Sequence, residues 1–298
     1  MTAINTIERT NSLLAAGEIV YAARQSGLYR IGAAADERNL YHAWLPGEEV
    51  PTLAIAAVDD LLLAGINGGV ARSEDGGASW KALQFREPAP LVTCLALSPA
   101  FEGDGCVLSG SFEDGVFRST DGGRSWRAVN HGLFDHSVYA LALSPRFAID
   151  GIAFVGTGSG VYRSENGGRL WWDVKMPSGD ETVLSLALAA DGALYAGCET
   201  HGLLRSSDGG ESWEALLETD GAVNALALAN RGAIVAQVDD SLLQSRDDGE
   251  SFSELAAENV DCIALADDGV TLLMAMADGR IRRTALYAFD AASKILPQ

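Results

Sequence analysis

The sequence predicts an all-β fold, a seven-bladed β-propeller of four-stranded antiparallel blades, and three observations carry that prediction. An octapeptide recurs at Ser73–Trp80, Ser119–Trp126, Ser164–Trp171, Ser206–Trp213 and Ser245–Phe252, a period of roughly 40 residues that signals a repeat architecture. Just ahead of it lies a Gly-apolar-apolar-Arg tetrapeptide or a close variant. It ends at Arg30, Arg72, Arg118, Arg163, Arg205, Gln244 and Arg282, at spacings of 42, 46, 45, 42, 39 and 38 residues. Between these markers, short runs rich in β-branched and aromatic residues alternate with Gly/Asp/Ser clusters, which is the pattern of strands joined by hairpins.

Each octapeptide reads as a tight turn. The short side chain at Asp75, Asp121, Asn166, Asp208 and Asp247 can accept bonds from nearby backbone N–H groups and fix the turn. The glycines that follow supply backbone angles with φ above zero. The closing aromatic, Trp80, Trp126, Trp171, Trp213 or Phe252, is expected in the apolar layer between sheets. Every part of the motif thus has a structural task.

In order along the chain, the third module shows strands at Val92–Leu97, Val107–Ser111, Gly115–Ser119 and Trp126–Val129, with a turn through Ser98–Gly105. The fourth repeats this at Val138–Leu143, Ile152–Thr157, Gly160–Ser164 and Trp171–Val174. Extending the pattern divides a single domain, 1–298, into blades at 1–47, 48–87, 88–133, 134–178, 179–218, 219–257 and 258–298. Such sheets bury one another's faces in radial array and leave only short edges. Ring closure is expected to mix the termini, with Ile4–Arg9 as an outer strand beside Ile281–Arg283. Helical periodicity is confined to the tail, Ala285–Gln298.

A formal charge of −20, from 41 acidic and 21 basic residues, disfavours nucleic-acid backbones and anionic membrane surfaces, which attract Lys/Arg excess. No apolar stretch is long enough to span a bilayer, and Met1–Gly17 shows no basic start followed by an apolar run. Cys94, Cys106, Cys198 and Cys262 lie in apolar runs without metal-ligand spacing. They read as buried free thiols, and the expected location is cytoplasmic.

The S-x-D-x-G-x-[ST]-W octapeptide, together with LALSPAFEGDG and LALSPRFAIDG, resembles the Asp-box, or bacterial neuraminidase repeat. The resemblance runs from about Gly27 to Arg283 and implies a propeller like those of sialidases, xyloglucanases, sortilin-type receptors and photosystem II assembly factors. In that family the box is a structural turn away from the working face. The sialidase machinery that the family allows is not matched here, since Arg30 is followed by Ile31 and Gly32 rather than Ile-Pro, and no Tyr–Glu pair is assignable. A xyloglucanase would bring two such propellers around a cleft.

Strand order puts the octapeptides and the Asp-Gly turns at Asp104, Asp150, Asp191 and Asp268 on one face. Calcium binding at those turns is a minor alternative to ordinary hairpin chemistry. The opposite face collects the blade-to-blade links Lys81–Leu91, Asn130–Ser137 and Lys175–Thr182, with the second-to-third turns. Candidate binding residues there are Arg86, Glu113, Asp114, His131, Phe134, Asp135, His136 and His201. Phe134 is the foremost partner contact, or else folds under its own loop. The marker arginines are expected to pair with acidic groups and stack on the octapeptide tryptophans, rather than form a basic ring. No catalytic residue, cofactor or metal is assigned, because no nucleophile–base pair, metal spacing or GxxxxGK[ST] loop occurs. The expectation is a non-catalytic scaffold or assembly subunit with a protein partner. Alternatives are a carbohydrate-active or carbohydrate-binding propeller and a small-ligand or metal-binding sensor.

Overall fold

The computed structural model describes residues 8–32, 36–42, 44–45, 47–85 and 89–286. Seven antiparallel sheets follow one another in sequence order, six with four strands and the last with three among the described residues. The innermost strands are Thr10–Ala16, Thr52–Val58, Leu91–Leu97, Val138–Leu143, Val183–Leu188, Val223–Leu228 and Val260–Leu265. Each neighbours the next, and the seventh lies against the first. The chain is a closed seven-bladed propeller.

Second strands such as Leu61–Ile66 and Ala153–Thr157 are buried along almost their whole length, because a neighbouring blade covers each face. They therefore read as continuous apolar runs rather than alternating ones. A buried apolar cluster lies at every junction. Leu40 and Tyr41 of the first blade meet Ile55, Leu62 and Trp80 of the second, and Leu13, Val20 and Ala22 meet Cys262 and Leu273 to close the ring. Closure is also polar: Thr10 N–H donates to Asp261 Oδ2 at 2.9 Å, and Gly17 N–H to Asp267 Oδ2 at 2.7 Å. The segment Ile4–Arg9, expected as an outer strand, falls outside the described residues up to position 7. Of that segment only Glu8 and Arg9 are described, and they meet Ser26 and Asp261. Most of the tail expected to be helical, from residue 287, is likewise outside.

Several strand bounds shift. The fourth strand of the third blade is only Arg127–Ala128, while Lys81–Gln84, expected within a link, is the fourth strand of the second blade. The turn at Ser98–Gly105 holds one helical turn, Phe101–Asp104, and its counterpart is Phe147–Asp150. In both, a serine hydroxyl binds the aspartate, Ser98 to Asp104 at 2.6 Å and Ser144 to Asp150 at 2.7 Å, and a left-handed glycine ends the turn.

The octapeptide works as a small hydrogen-bonded clasp. In the third blade, Ser119 Oγ accepts from Gly123 N–H at 2.9 Å and donates to Asp121 Oδ1 at 2.7 Å. Asp121 Oδ1 accepts from Ser125 N–H at 2.9 Å, and Oδ2 from Ser125 Oγ at 2.6 Å. Asp75, Asp208 and Asp247 repeat the pattern. The Asn166 copy carries Leu170 where the others carry serine, so no hydroxyl faces the amide nitrogen that replaces Oδ2.

These bonds lower the aspartate pKa. Asp75 falls from 3.8 to about 2 through bonds from Ser79 and Ser73. For Asp121 burial is the largest single influence and opposes the shift, but bonds from Ser125, Ser119 and Arg124 outweigh it and leave it at about 2. Asp208 and Asp247 are lowered by their own serines. A carboxylate depressed in the folded state contributes stability above its unfolded pKa and loses it as pH falls through the folded value. The melting temperature is therefore expected to drop between about pH 4 and pH 2. Asp75→Asn with Asp121→Asn should flatten that stretch of the profile, and an unchanged slope would count against the clasp as its origin.

The marker arginines knit blade to blade. Arg72 Nε donates to the carbonyl of Gly122 at 2.8 Å, Arg118 Nε to Gly167 at 2.9 Å and an Arg163 Nη1 to Gly209 at 3.3 Å. Each reaches the first glycine of the next blade's octapeptide. In the sixth blade that glycine is replaced by Asp248, whose φ is 60°, and its carboxylate lies 3.4 Å from Arg205. Arg72 and Arg163 also pair with Glu74 and Glu165 at 2.8 and 2.7 Å. The expected stacking on the octapeptide tryptophans is not what forms. Arg163 and Arg205 lie over Phe154 and Tyr195 of their own blades instead, because reaching across to the next blade's clasp, at Gly209 and Asp248, holds the guanidinium over the second strand.

Candidate site at the channel mouth

Every innermost strand carries a bulge near its start. The residues left out of register are Asn11, Leu53, Thr93, Tyr139, Leu184, Asn224 and Asp261. Bulges re-aim a side chain at the cost of a ladder bond, and here the device recurs around the ring at the axis. Asn11, Leu53, Thr93, Asn224 and Asp261 line one open cavity of about 840 Å³, together with Arg9, Gln237, Asp239 and Asp240. These strands start on the face opposite the clasps, so the cavity is the mouth of the central channel on the link-bearing face.

Framework positions on either side of the bulge hardly vary. The residue before it is Thr or Val, and the residue after it is Ser, Ala or Cys. The latter pairs with Ala23, Gly65, Gly110, Gly156, Gly197, Gln237 or Ala275 on the second strand. Small residues are required there: a Cβ at Gly110 would stand 2.4 Å from Val138 Cγ1 and one at Gly65 2.7 Å from Val92 Cγ1. Gln237 breaks the column. Its Nε2 donates to the carbonyl of Val260 at 2.8 Å, and its Oε1 is buried without a partner among the described residues.

Across the mouth, Phe112 is 40% exposed and its ring centroid lies 6.3 Å from that of Tyr139. This aromatic pair joins a patch farther from the axis. Gly115 N–H donates to the carbonyl of His136 at 2.9 Å, and Asn130 Nδ2 to the carbonyl of Asp114 at 2.8 Å. These bonds bring the Glu113–Asp114 turn against the link that carries His131, Phe134, Asp135 and His136. Glu113 holds a left-handed φ of 71°. Asp135 caps Ser137 N–H at 2.9 Å, and His136 Nε2 lies 3.2 Å from the carbonyl of Leu133. Phe134 is 87% exposed, so it does not fold under its loop. Arg86 lies outside the described residues.

His201 stands apart from that patch, beside a cavity of about 550 Å³ lined also by Ser178, Thr200 and Asp220. Its Nδ1 lies 2.5 Å from the carboxylate of Glu181, which is buried and accepts from Thr200 N–H at 2.9 Å. The sequence reading missed Glu181. Among the described residues, no three or more His, Cys, Asp or Glu side chains converge as a metal site would need. All four cysteines are free, and burial pushes Cys94, Cys198 and Cys262 up to about 12.

Of the channel-mouth residues, Asp239 and Asp240 belong to the second-to-third turns expected on this face. The bulge residues and Gln237 were missed, although a signal exists: aligning the seven first strands isolates one variable column, and aligning the second strands isolates Gln237.

No protein-family model matches the chain, and no curated protein does. Solved structures match its fold. A GH74 xyloglucanase from Xanthomonas campestris superposes with a TM-score of 0.77 at 20% identity, over 97% of this chain and 54% of the enzyme. YCF48 bound to D1 peptide matches at 0.73 and 16%, over 96% of this chain and 94% of that one. The extracellular domain of BT4673 from B. thetaiotaomicron matches at 0.74 and 15%, over 93% of this chain, which spans 38% of that domain chain. A chain of a mitotic checkpoint complex matches at 0.69 and 14%, over 96% of this chain and 94% of that one. At these identities the fold is what is shared.

Proposed function

We propose that this propeller is a non-catalytic protein-interaction module, a scaffold or assembly subunit, and that its partner seats on the channel mouth and the adjoining patch. One observation carries the reading: a nearly invariant framework presents dissimilar side chains, re-aimed by bulges, around the axis, five of them to one shared open cavity. Such a design conserves the fold while varying what the surface recognises. The exposed Phe134 beside the Phe112–Tyr139 pair supplies the apolar contact that interfaces concentrate in a few anchors. YCF48 with its D1 peptide and the checkpoint complex are instances of a similar fold alongside other polypeptides. The four free cysteines support the cytoplasm as the location, and fractionation that finds the protein with secreted material would remove that part.

Asn224→Trp would fill the mouth from an exposed position, and Glu211→Trp places the same bulk in a clasp on the far face. Co-purification from native extract is expected to lose the stoichiometric partner by about tenfold only with Asn224→Trp. Equal recovery with both variants would defeat the assignment.

The Phe112–Tyr139 pair, on the same face as the mouth aspartates Asp239, Asp240 and Asp261, favours one second reading, a carbohydrate-binding or carbohydrate-active propeller. Sugars stack on exposed rings, and paired carboxylates perform glycoside chemistry. A glycan array probed with wild type and Phe112→Ala separates the two readings: a glycan signal that the variant loses selects carbohydrate, and a blank array leaves protein binding.

A further inference from the structure

We infer that the channel mouth receives the cationic head of an arginine or lysine side chain from the partner polypeptide, held by Asp261 and Gln237, with Arg9 as the resident competitor. This rests on the mouth being the partner site.

Two independent features of the mouth ask for the same ligand. Gln237 is only 3% exposed, and it stands where the other blades carry Gly or Ala. The carbonyls of Val260 and Asp261 can only accept, so the amide nitrogen must face them, at 2.8 and 3.4 Å. That orientation leaves Oε1 as a buried acceptor without a donor among the described residues, a group that costs free energy until something donates to it. Asp261 is the second feature. Its side chain is 3% exposed, and Oδ2 takes Thr10 N–H at 2.9 Å. Among the described residues its Oδ1 meets only Arg9 Nε, at 3.4 Å, from a side chain that is 80% exposed. A buried carboxylate calls for a close charged partner, and this long bond to a solvated arm is an easily displaced one.

A guanidinium or ammonium entering from the channel axis would supply donors to both acceptors. The planar fork of arginine suits two acceptors that share one wall. Asp239 and Asp240 at the rim add attraction for a cation as it approaches. A metal ion is the less apt occupant, since no group of three metal-ligating side chains converges among the described residues.

The test titrates the intact protein with the peptide Ac-Gly-Gly-Arg-Gly-Gly-NH2 by NMR at 0.15 M salt, which limits attraction to the overall charge. A citrulline peptide of the same shape but without the charge is the control. The arginine peptide is expected to bind at least about tenfold more tightly than the citrulline peptide. Arg9→Ala should strengthen it by about fivefold, because the competitor is gone. Gln237→Ala, which restores the residue type of the other blades, should weaken it, as should Asp261→Asn. Equal binding of the two peptides, or no gain with Arg9→Ala, overturns the proposal. So does putrescine displacing the peptide at equal concentration, which would point to free amines. Should the arginine peptide fail while Asn224→Trp still abolishes partner capture, the cation falls and the mouth remains the partner site. Failure of both removes the two together.

Discussion

Trp171→Ala is expected to destabilise the protein by about 3–5 kcal/mol, the range for removing a buried indole from a packed core. Trp171 is 1% exposed and packs with Leu108, Leu133, Phe147 and Tyr162 between the third and fourth blades. Its Nε1 donates across the junction to the carbonyl of Val129 at 2.9 Å, a bond the other octapeptide tryptophans do not make. Trp80 and Trp126 donate to their own turns, at Gly77 and Gly123. The neighbour supplies the control. Trp172 is 47% exposed, and Trp172→Ala should stay within about 0.5 kcal/mol of wild type, as surface substitutions do. Urea unfolding of the two variants measures the difference, and similar losses would mean that the junction does not depend on the indole.

Gly210→Ala is expected to destabilise by about 2–5 kcal/mol, combining a strained backbone with overpacking. The second glycine of the clasp has φ of 100° at this position, and a Cβ there would stand 2.5 Å from Val174 Cγ1 of the preceding blade. Equivalent contacts occur at Gly77 with Leu40, Gly123 with Leu63, Gly168 with Leu108 and Gly249 with Leu216. One residue thus serves the turn and the blade junction together. Gly179 separates the two contributions, since its φ is 80° but nothing lies within 4 Å of the added Cβ. Gly179→Ala should therefore cost only the conformational part. If the two alanine variants melt alike, the inter-blade contact contributes nothing and backbone strain alone explains the glycine.

Much of this was legible because it is local. Ser119, Asp121, Gly123 and Ser125 satisfy one another within seven residues, so the turn chemistry can be read from side-chain donors and acceptors alone. The apolar runs declared strands for a similar reason, and period multiplied by copy number declared a ring. The link that carries Phe134 was identifiable as a polar loop with a lone aromatic. Its exposure is a matter of how the Glu113–Asp114 turn backs it through the Gly115–His136 bond, and that required the fold. The tryptophan stacking expected of the arginines failed because each guanidinium reaches an acceptor in the next blade's clasp, and only the packed junction shows which acceptor that is.

The sequence by itself determined the repeat, the number of blades and the chemistry of the clasps, because each depends on groups close along the chain. The tertiary structure alone decided where the seven bulges point, that Glu181 holds His201, and that Gln237 and Asp261 share a wall with Arg9. The physical reason is chain distance. Arg9 and Asp261 are separated by 252 residues, and they meet only because the first and last blades pack face to face around a common axis.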